Sequence, residues 1–253
     1  MFNYLTYEVT SGVCTVTFNR PNQLNAMNRD FMDEIIAAFR MANDDPGARV
    51  VVVTGAGRAF MAGADLKEYA SQTDEEFRCF QERRWELYSA AEQSPKPYMA
   101  MVNGYAMGGG FEIVLACDIV VAAKSAVFGL PEVHLGLVPG GGGTQKLCSR
   151  IGLNRTMEVL MLGGRYSAEQ MHSWGVVNYL ADDSELLAVT LDTAQKLTRR
   201  LPEALAEVKS LARHSALPGV TELGMQQEAR ALSKLFRLPE VVQKLQDFIN
   251  KNK

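Results

Sequence analysis

The stretch GYAMGGGFEIVLACDIVVAA, Gly104 to Ala123, decides how this chain is read. It continues PYMAMVNG, a run that reads as a strand. Gly108, Gly109 and Gly110 then punctuate the chain, and the spacing from Met107 to Ala116 predicts a short helix. DIVVAA, Asp118 to Ala123, reads as the next strand. Glu112 sits near the start of the helix, in an otherwise apolar setting. A helix N-terminus exposes unpaired N–H groups and carries partial positive charge. Glycines there let an oxygen come close, because no Cβ blocks its approach. The turn therefore suits an anion or a developing oxyanion. Three glycines alone fit a close strand–helix contact equally well.

Two further stretches pose the same question. FGLPEVHLGLVPGGGGTQKL, residues 128 to 147, carries Glu132 after Pro131 on a loop, then four glycines from Gly140 to Gly143. Carboxylates among apolar residues need a reason, since burying a charge is costly. Paired and partly desolvated, two carboxylates divide into an acid and a base. Each can also serve as a helix cap or meet a lysine. TGAGRAFMAGADLKEY follows the Val50–Gly55 run. Its Gly55, Ala56 and Gly57 begin a dinucleotide fingerprint, but Phe60 stands at the third glycine position and the match fails. Gly63 and Ala64 are small, and Asp65 is expected to cap the turn that follows. The Ala64 N–H can then point into the same space as that of Gly109, so that two donors polarise one carbonyl.

Outward from these loops the chain alternates. Tyr4–Val9 and Val13–Phe18 read as a hairpin, and NRPNQLNAMN as a loop. Asn28 is placed to cap a helix with Phe31, Ile35, Ile36 and Phe39 on one face. Val50–Gly55 reads as a buried strand. Thr73 and Glu76 form a capping box for a helix to about Glu92. A helix is expected after Gly143, a strand at GVVNYL, and helices from about Leu186 onward. Strands alternating with helices point to an α/β fold with a parallel, helix-covered sheet.

Bulk numbers narrow the class. The chain has 253 residues, 47% hydrophobic and 22% charged, enough for one large folded domain with an appendage. Lys plus Arg is 26 against Asp plus Glu 29, a net charge of −3, and no basic excess suggests nucleic acid. Cys14, Cys79, Cys117 and Cys148 lack metal or CxxC spacing, so no metal site is expected and a reducing, cytoplasmic setting fits. Cys14 and Cys117 read as core residues. No membrane span and no signal or transit peptide is expected.

Together NRPNQLNAMN, GRAFMAGADLKEY, KPYMAMVNGYAMGGGFEIVLACDIVVAA, FGLPEVHLGLVPGGGGTQKL and GVVNYL resemble, in order and over nearly the whole chain, the crotonase (enoyl-CoA hydratase/isomerase) superfamily. The resemblance implies a spiral of ββα units in residues 1–195, holding an acyl-CoA site, and a helical oligomerisation segment in 196–253. It implies a homotrimer or a dimer of trimers. By motif, the oxyanion donors fall on the N–H groups of Ala64 and Gly109, and the coenzyme A site on Gln23, Leu24, Ala26, Ala62 and Leu66. Glutamate at both acid positions implies hydration of a trans-2-enoyl-CoA to 3-hydroxyacyl-CoA. Glu112 would activate water, Glu132 would protonate Cα, and the Gly140 N–H would help hold the water or carboxylate. No cofactor is implied, coenzyme A being part of the substrate. Enoyl-CoA isomerisation needs one base, which Glu132 can supply alone. Dienoyl or branched acyl-CoA hydratases and dehydratases, and a binding homologue without catalysis, are the other readings. His134 stands where relatives often have an aliphatic residue, and it tunes the Glu132 carboxyl, touches substrate or is structural. Trp85 and Tyr88 fit an acyl-pocket wall, the core or an interface. The C-terminal LFRLPEVVQKLQDFINKNK lacks the family's frequent ending.

Overall fold

A computed structural model describes residues 2–215, 229–230, 233, 236–237 and 239–251. The strands of the expected hairpin, β1 (Leu5–Thr10) and β2 (Val13–Phe18), pair antiparallel through a turn with positive φ at Ser11 and Gly12. Helix α1 (Arg29–Asp44) begins where Asn28 accepts the Phe31 N–H, and it buries Phe31, Ile35, Ile36 and Phe39. Each such side chain contributes roughly 1.5–3 kcal/mol when fully buried.

From there each turn of the chain lays down two strands and a helix. The pairs are β3 (Val50–Gly55) with β4 (Ala59–Met61), β5 (Tyr98–Val102) with β6 (Tyr105–Met107), and β7 (Ile119–Ala123) with β8 (Val127–Gly129). The first strand of each pair joins a six-stranded sheet, β1-β2-β3-β5-β7-β10, where β10 is Tyr179–Ala181. The second joins a four-stranded sheet, β4-β6-β8-β9, where β9 is Tyr166–Ser167. The chain thus advances as a spiral of ββα units. β3 is buried at every residue because β2 and β5 flank it in parallel.

The helices between are α2 (Leu66–Ser71), α3 (Asp74–Glu92), α4 (Gly109–Ala116), α5 (Gly143–Leu162), α6 (Ala168–Ser173), α7 (Leu186–Thr198), α8 (Pro202–Ser215) and α9 (Pro239–Lys251). The Thr73–Glu76 capping box opens α3 as expected. α5 is broken at Gly152, whose φ of 75° and ψ of 165° are not helical. Cys14 and Cys117 lie in the core. The last strand sits later than expected. Gly175 to Asn178 turns, with the Val176 and Val177 N–H groups bonded to the Met171 carbonyl, so only Tyr179 onward pairs with β7.

The expected single sheet is two sheets. The strands of the smaller one are two or three residues long, too short to show a period. Its β4, β6 and β8 run parallel and side by side. Their C-terminal ends therefore deliver three loops to one place, ending at Ala64, Gly109 and Glu132.

Candidate active site

The first loop is set by its neighbour. Met27 and Ala64 form an isolated parallel bridge, in which the Met27 N–H donates to the Gly63 carbonyl at 2.8 Å and the Asp65 N–H to the Met27 carbonyl at 2.9 Å. The Ala64 N–H is used by no acceptor among the described residues. Asp65 occupies the N-cap of α2 but makes no side-chain cap, contrary to expectation. Its carboxylate pairs with Arg20 at 3.3 Å, which ties this loop to the NRPNQLNAMN loop. That loop is held by Asn25, fully buried at φ 57° with its side chain bonded to Arg20, Ala56 and Ala59 backbone.

The second loop turns at Gly108, whose φ of 50° and ψ of −125° suit glycine. Met107 belongs to β6, so α4 starts at Gly109, and its first N–H has no partner within the helix. Gly110 is packed against β4, where a Cβ would lie 2.2 Å from the Met61 carbonyl oxygen. Gly63 and Gly108 touch, a Cβ on Gly108 falling 3.7 Å from the Gly63 Cα. Ala64 and Gly109 line one cavity of about 100 Å³.

The third loop is a 3-10 turn, Pro131–Leu135, that carries Glu132 into the wall of the same cavity. Its Oε1 would lie 3.1 Å from a Cβ on Gly108. Glu112 follows Gly109 within α4 and is 0% exposed, behind that wall. Its Oε1 accepts N–H groups from Gly141 at 2.7 Å and Gly143 at 3.0 Å. Its Oε2 accepts from Arg84 Nη2 at 2.8 Å and the Tyr88 hydroxyl at 3.2 Å. The glycine loop therefore holds the carboxylate through Gly141 and Gly143, and Gly140 makes no such contact among the described residues. The reason a charge sits there is Arg84, only 5% exposed, on α3.

Arg84 was not expected from the sequence, yet a signal exists. Phe77, Phe80, Gln81, Leu87, Tyr88 and Ala91 are buried at helical spacing, and position 84 belongs to that face. A cation on an apolar face needs a buried counter-charge. Burial pulls the Arg84 guanidinium down, but Tyr88 and Glu112 outweigh it and its pKa is raised, so it stays charged. Burial, then the Glu112 charge, push the Tyr88 hydroxyl well above its ordinary value, so it stays a donor. Lys146, on α5, braces the glycine loop. Its Nζ donates to the Gly141 carbonyl at 3.1 Å, meets Glu92 at 3.0 Å and lies 4.8 Å over the Tyr88 ring.

Met27, Leu66, Tyr69, Leu135, Leu137 and Val138 supply most of the cavity's remaining wall. Ala62, Leu66, Pro131 and Leu135 also line a groove of about 870 Å³, which Leu24 joins. The cavity and the groove therefore share a wall. Arg58, Arg165 and Lys251 place cations along it. Of the expected coenzyme A residues, Leu24, Ala62 and Leu66 line this space. Gln23 is exposed and Ala26 turns its carbonyl to Arg20, and neither lines it. His134 also lines the groove, with its Nε2 bonded to the Leu162 carbonyl at 2.9 Å. Tyr88 is core, while Trp85 is half-buried and away from the cavity lining. No metal-binding cluster occurs and no helix is long and apolar enough to cross a membrane, among the described residues.

The profile of the Enoyl-CoA hydratase/isomerase family matches residues 8–253. The 2,3-dehydroadipyl-CoA hydratase of Escherichia coli K12 is 35% identical over 223 residues, 88% of this chain and 86% of that protein. The short-chain-enoyl-CoA hydratase of Clostridium acetobutylicum is 32% identical over 99% of this chain and 96% of that one. A crystal structure of an enoyl-CoA hydratase from Mycobacterium avium subsp. paratuberculosis superposes with a TM-score of 0.89 at 30% identity, covering 97% of this chain and 99% of that one. With its sequence matched almost end to end and its fold shared, the chain belongs to the enoyl-CoA hydratase/isomerase family.

Proposed function

We propose that this chain adds water, reversibly, across the double bond of a trans-2-enoyl-CoA to give a 3-hydroxyacyl-CoA. The observation that carries the reading is the meeting of three loop ends at one cavity: Ala64, Gly109 and Glu132 line it together. The thioester oxygen takes the N–H groups of Ala64 and Gly109, which draws electrons from the double bond toward an enolate. Such donors are each worth roughly 3–4 kcal/mol to the transition state. Glu132 supplies the proton to Cα. Glu112 is the second carboxylate, and it activates the water. Coenzyme A lies in the groove with its phosphates toward Arg58, Arg165 and Lys251. This chemistry calls for no metal and no redox group.

A second reading has its own support. Four donors already fill the Glu112 oxygens, and Glu112 is absent from the cavity lining. Glu132 is then the one base at the cavity, which suits moving a double bond between Cβ–Cγ and Cα–Cβ. Crotonyl-CoA and a trans-3-enoyl-CoA separate the two. Hydration consumes the conjugated absorbance of the first, and isomerisation creates it from the second. Under hydration, Glu132→Gln lowers kcat by about 10²–10⁴. A wild-type protein inert to crotonyl-CoA and to longer straight-chain enoyl-CoA thioesters, yet active on the 3-enoyl substrate, overturns the hydratase reading.

We further infer self-association into a trimer or dimer of trimers, with residues 196–253 as the oligomerisation segment, in the cytoplasm. An apolar stripe at Leu153, Met157 and Met161 on α5 is exposed at helical spacing, which suits a second copy of this surface. Sedimentation equilibrium on the full chain reads the state directly, and a monomer at micromolar concentration refutes it.

A further inference from the structure

The wall of the acyl cavity contains more hydrogen-bond donor than the proposed reaction uses. Arg84 lines it among Met27, Leu66, Tyr69, Leu135, Leu137 and Val138. A guanidinium carries five N–H donors in a fixed fork. Nη2 is spent on Glu112 at 2.8 Å, Nη1 makes a long contact to Gln81 Oε1 at 3.4 Å, and the Tyr88 hydroxyl is a further partner of the fork. Nε is buried with no hydrogen-bond partner among the described residues. Tyr69, beside it in the wall, accepts the Gln81 amide N–H at 3.3 Å and is not a partner of Nε. Leaving a buried donor unfilled is unfavourable, and more so for a charged group. A plain alkyl chain in this cavity would leave it so.

We propose that the cavity selects acyl thioesters whose acyl chain carries an oxygen acceptor beyond the thioester carbonyl, a carboxylate or a keto group, and that the Arg84 guanidinium is the group that recognises it. The proposal rests on the acyl-CoA reading above and names its substrate class. Arg84 thus has two tasks, holding Glu112 on one edge of its fork and a substrate oxygen on the rest. A planar fork can do both, whereas an ammonium on a flexible stem offers one point of charge.

The test is calorimetric binding of saturated, unreactive thioesters to the full chain. The series is hexanoyl-CoA, its ω-carboxylated counterpart, its (ω−1)-oxo counterpart and 3-hydroxyhexanoyl-CoA. The wild type is expected to bind one or both chain-oxygenated ligands at least about tenfold tighter than hexanoyl-CoA, ~1.4 kcal/mol. The charged and neutral arms decide which acceptor is preferred. In Arg84→Lys, which keeps a cation for Glu112 but removes Nε, that preference falls to within about threefold of unity. Equal wild-type affinity for hexanoyl-CoA and the oxygenated ligands overturns the proposal. So does an equal gain from 3-hydroxyhexanoyl-CoA alone, which would mean that the donor serves the oxygen of the reaction itself. Retention of the preference by a folded Arg84→Lys protein overturns it as well. Should that variant fail to fold, the wild-type series decides alone. A protein that binds none of the four overturns the acyl-CoA reading and this inference with it, an outcome distinct from tight binding of hexanoyl-CoA.

Discussion

At the scale of single residues, the site is made of groups with little freedom. Gly110 is the clearest case, because a Cβ there meets backbone oxygen at 2.2 Å. Gly110→Ala should lower stability by about 1–3 kcal/mol as overpacking does, seen as a fall in denaturant midpoint. An unchanged midpoint would mean that β4 and α4 are not in the contact described. Glu112→Gln needs a similar reading. Its amide sets a donor against Gly141 and Gly143 on one side or against Arg84 and Tyr88 on the other, so lost activity has to be compared with lost stability. That Ala64, Gly109 and Glu132 meet at one cavity was legible in the sequence, because motif and residue type coincide there. Arg84 was not, since a charge inside a helix reads as solvated until its face is known to be buried. Gly141 and Gly143, whose N–H groups hold Glu112, were not singled out, because four successive glycines look alike until the loop bends.

At the scale of elements, local signals that rest on neighbouring residues translated well. The Thr73–Glu76 box and the Asn28 cap are both formed. Thr73→Ala should destabilise the protein by about 1 kcal/mol, with near-full activity on crotonyl-CoA, because Thr73 lies at the far end of α3 from Tyr88. A loss beyond about 3 kcal/mol would show that the box holds more than one helix start. Elements defined by distant partners escaped the sequence. The strands β4, β6, β8 and β9 exist only through one another, and none is longer than three residues. The shift of the last strand to Tyr179 has the same origin, since the Met171 carbonyl captures Val176 and Val177 first.

For the whole molecule, the titration of buried groups sets an alkaline limit. Burial pushes Tyr69 to about 12 from 10.0, and raises Tyr88 and Tyr98 as well. It pushes the Cys117 thiol to about 12 from 9.0. A raised folded pKa means that the native state keeps its proton while the unfolded chain loses it. The stabilisation is therefore complete below the unfolded value and is lost as pH rises past it. Lys209, whose pKa burial lowers, opposes this with a contribution that grows toward pH 10.5. Stability should begin to fall above pH 9 and steepen above pH 10, by about 1.4 kcal/mol per pH unit for each buried tyrosine. Urea midpoints between pH 8 and about 12 test this, and a flat series would refute it. The C-terminal part takes a share in the core that composition did not reveal. Lys209 and Arg213 of α8 both reach Asp118, at 2.8 and 2.7 Å, and Arg213 comes within 3.6 Å of the Glu92 that Lys146 also meets.

The glycines that let β4 and α4 touch also have a mechanical meaning. Where side chains separate two layers, their spacing follows whatever side chains happen to fill it, and each substitution moves it slightly. Between Met61 and Gly110 there is no such spacer, and main chain rests on main chain. The separation of the Ala64 and Gly109 amides is then a machined dimension of the protein, set by the hardness of backbone atoms. Heating, or extensive rewriting of the surrounding core, should change how firmly this joint is clamped long before it changes its width.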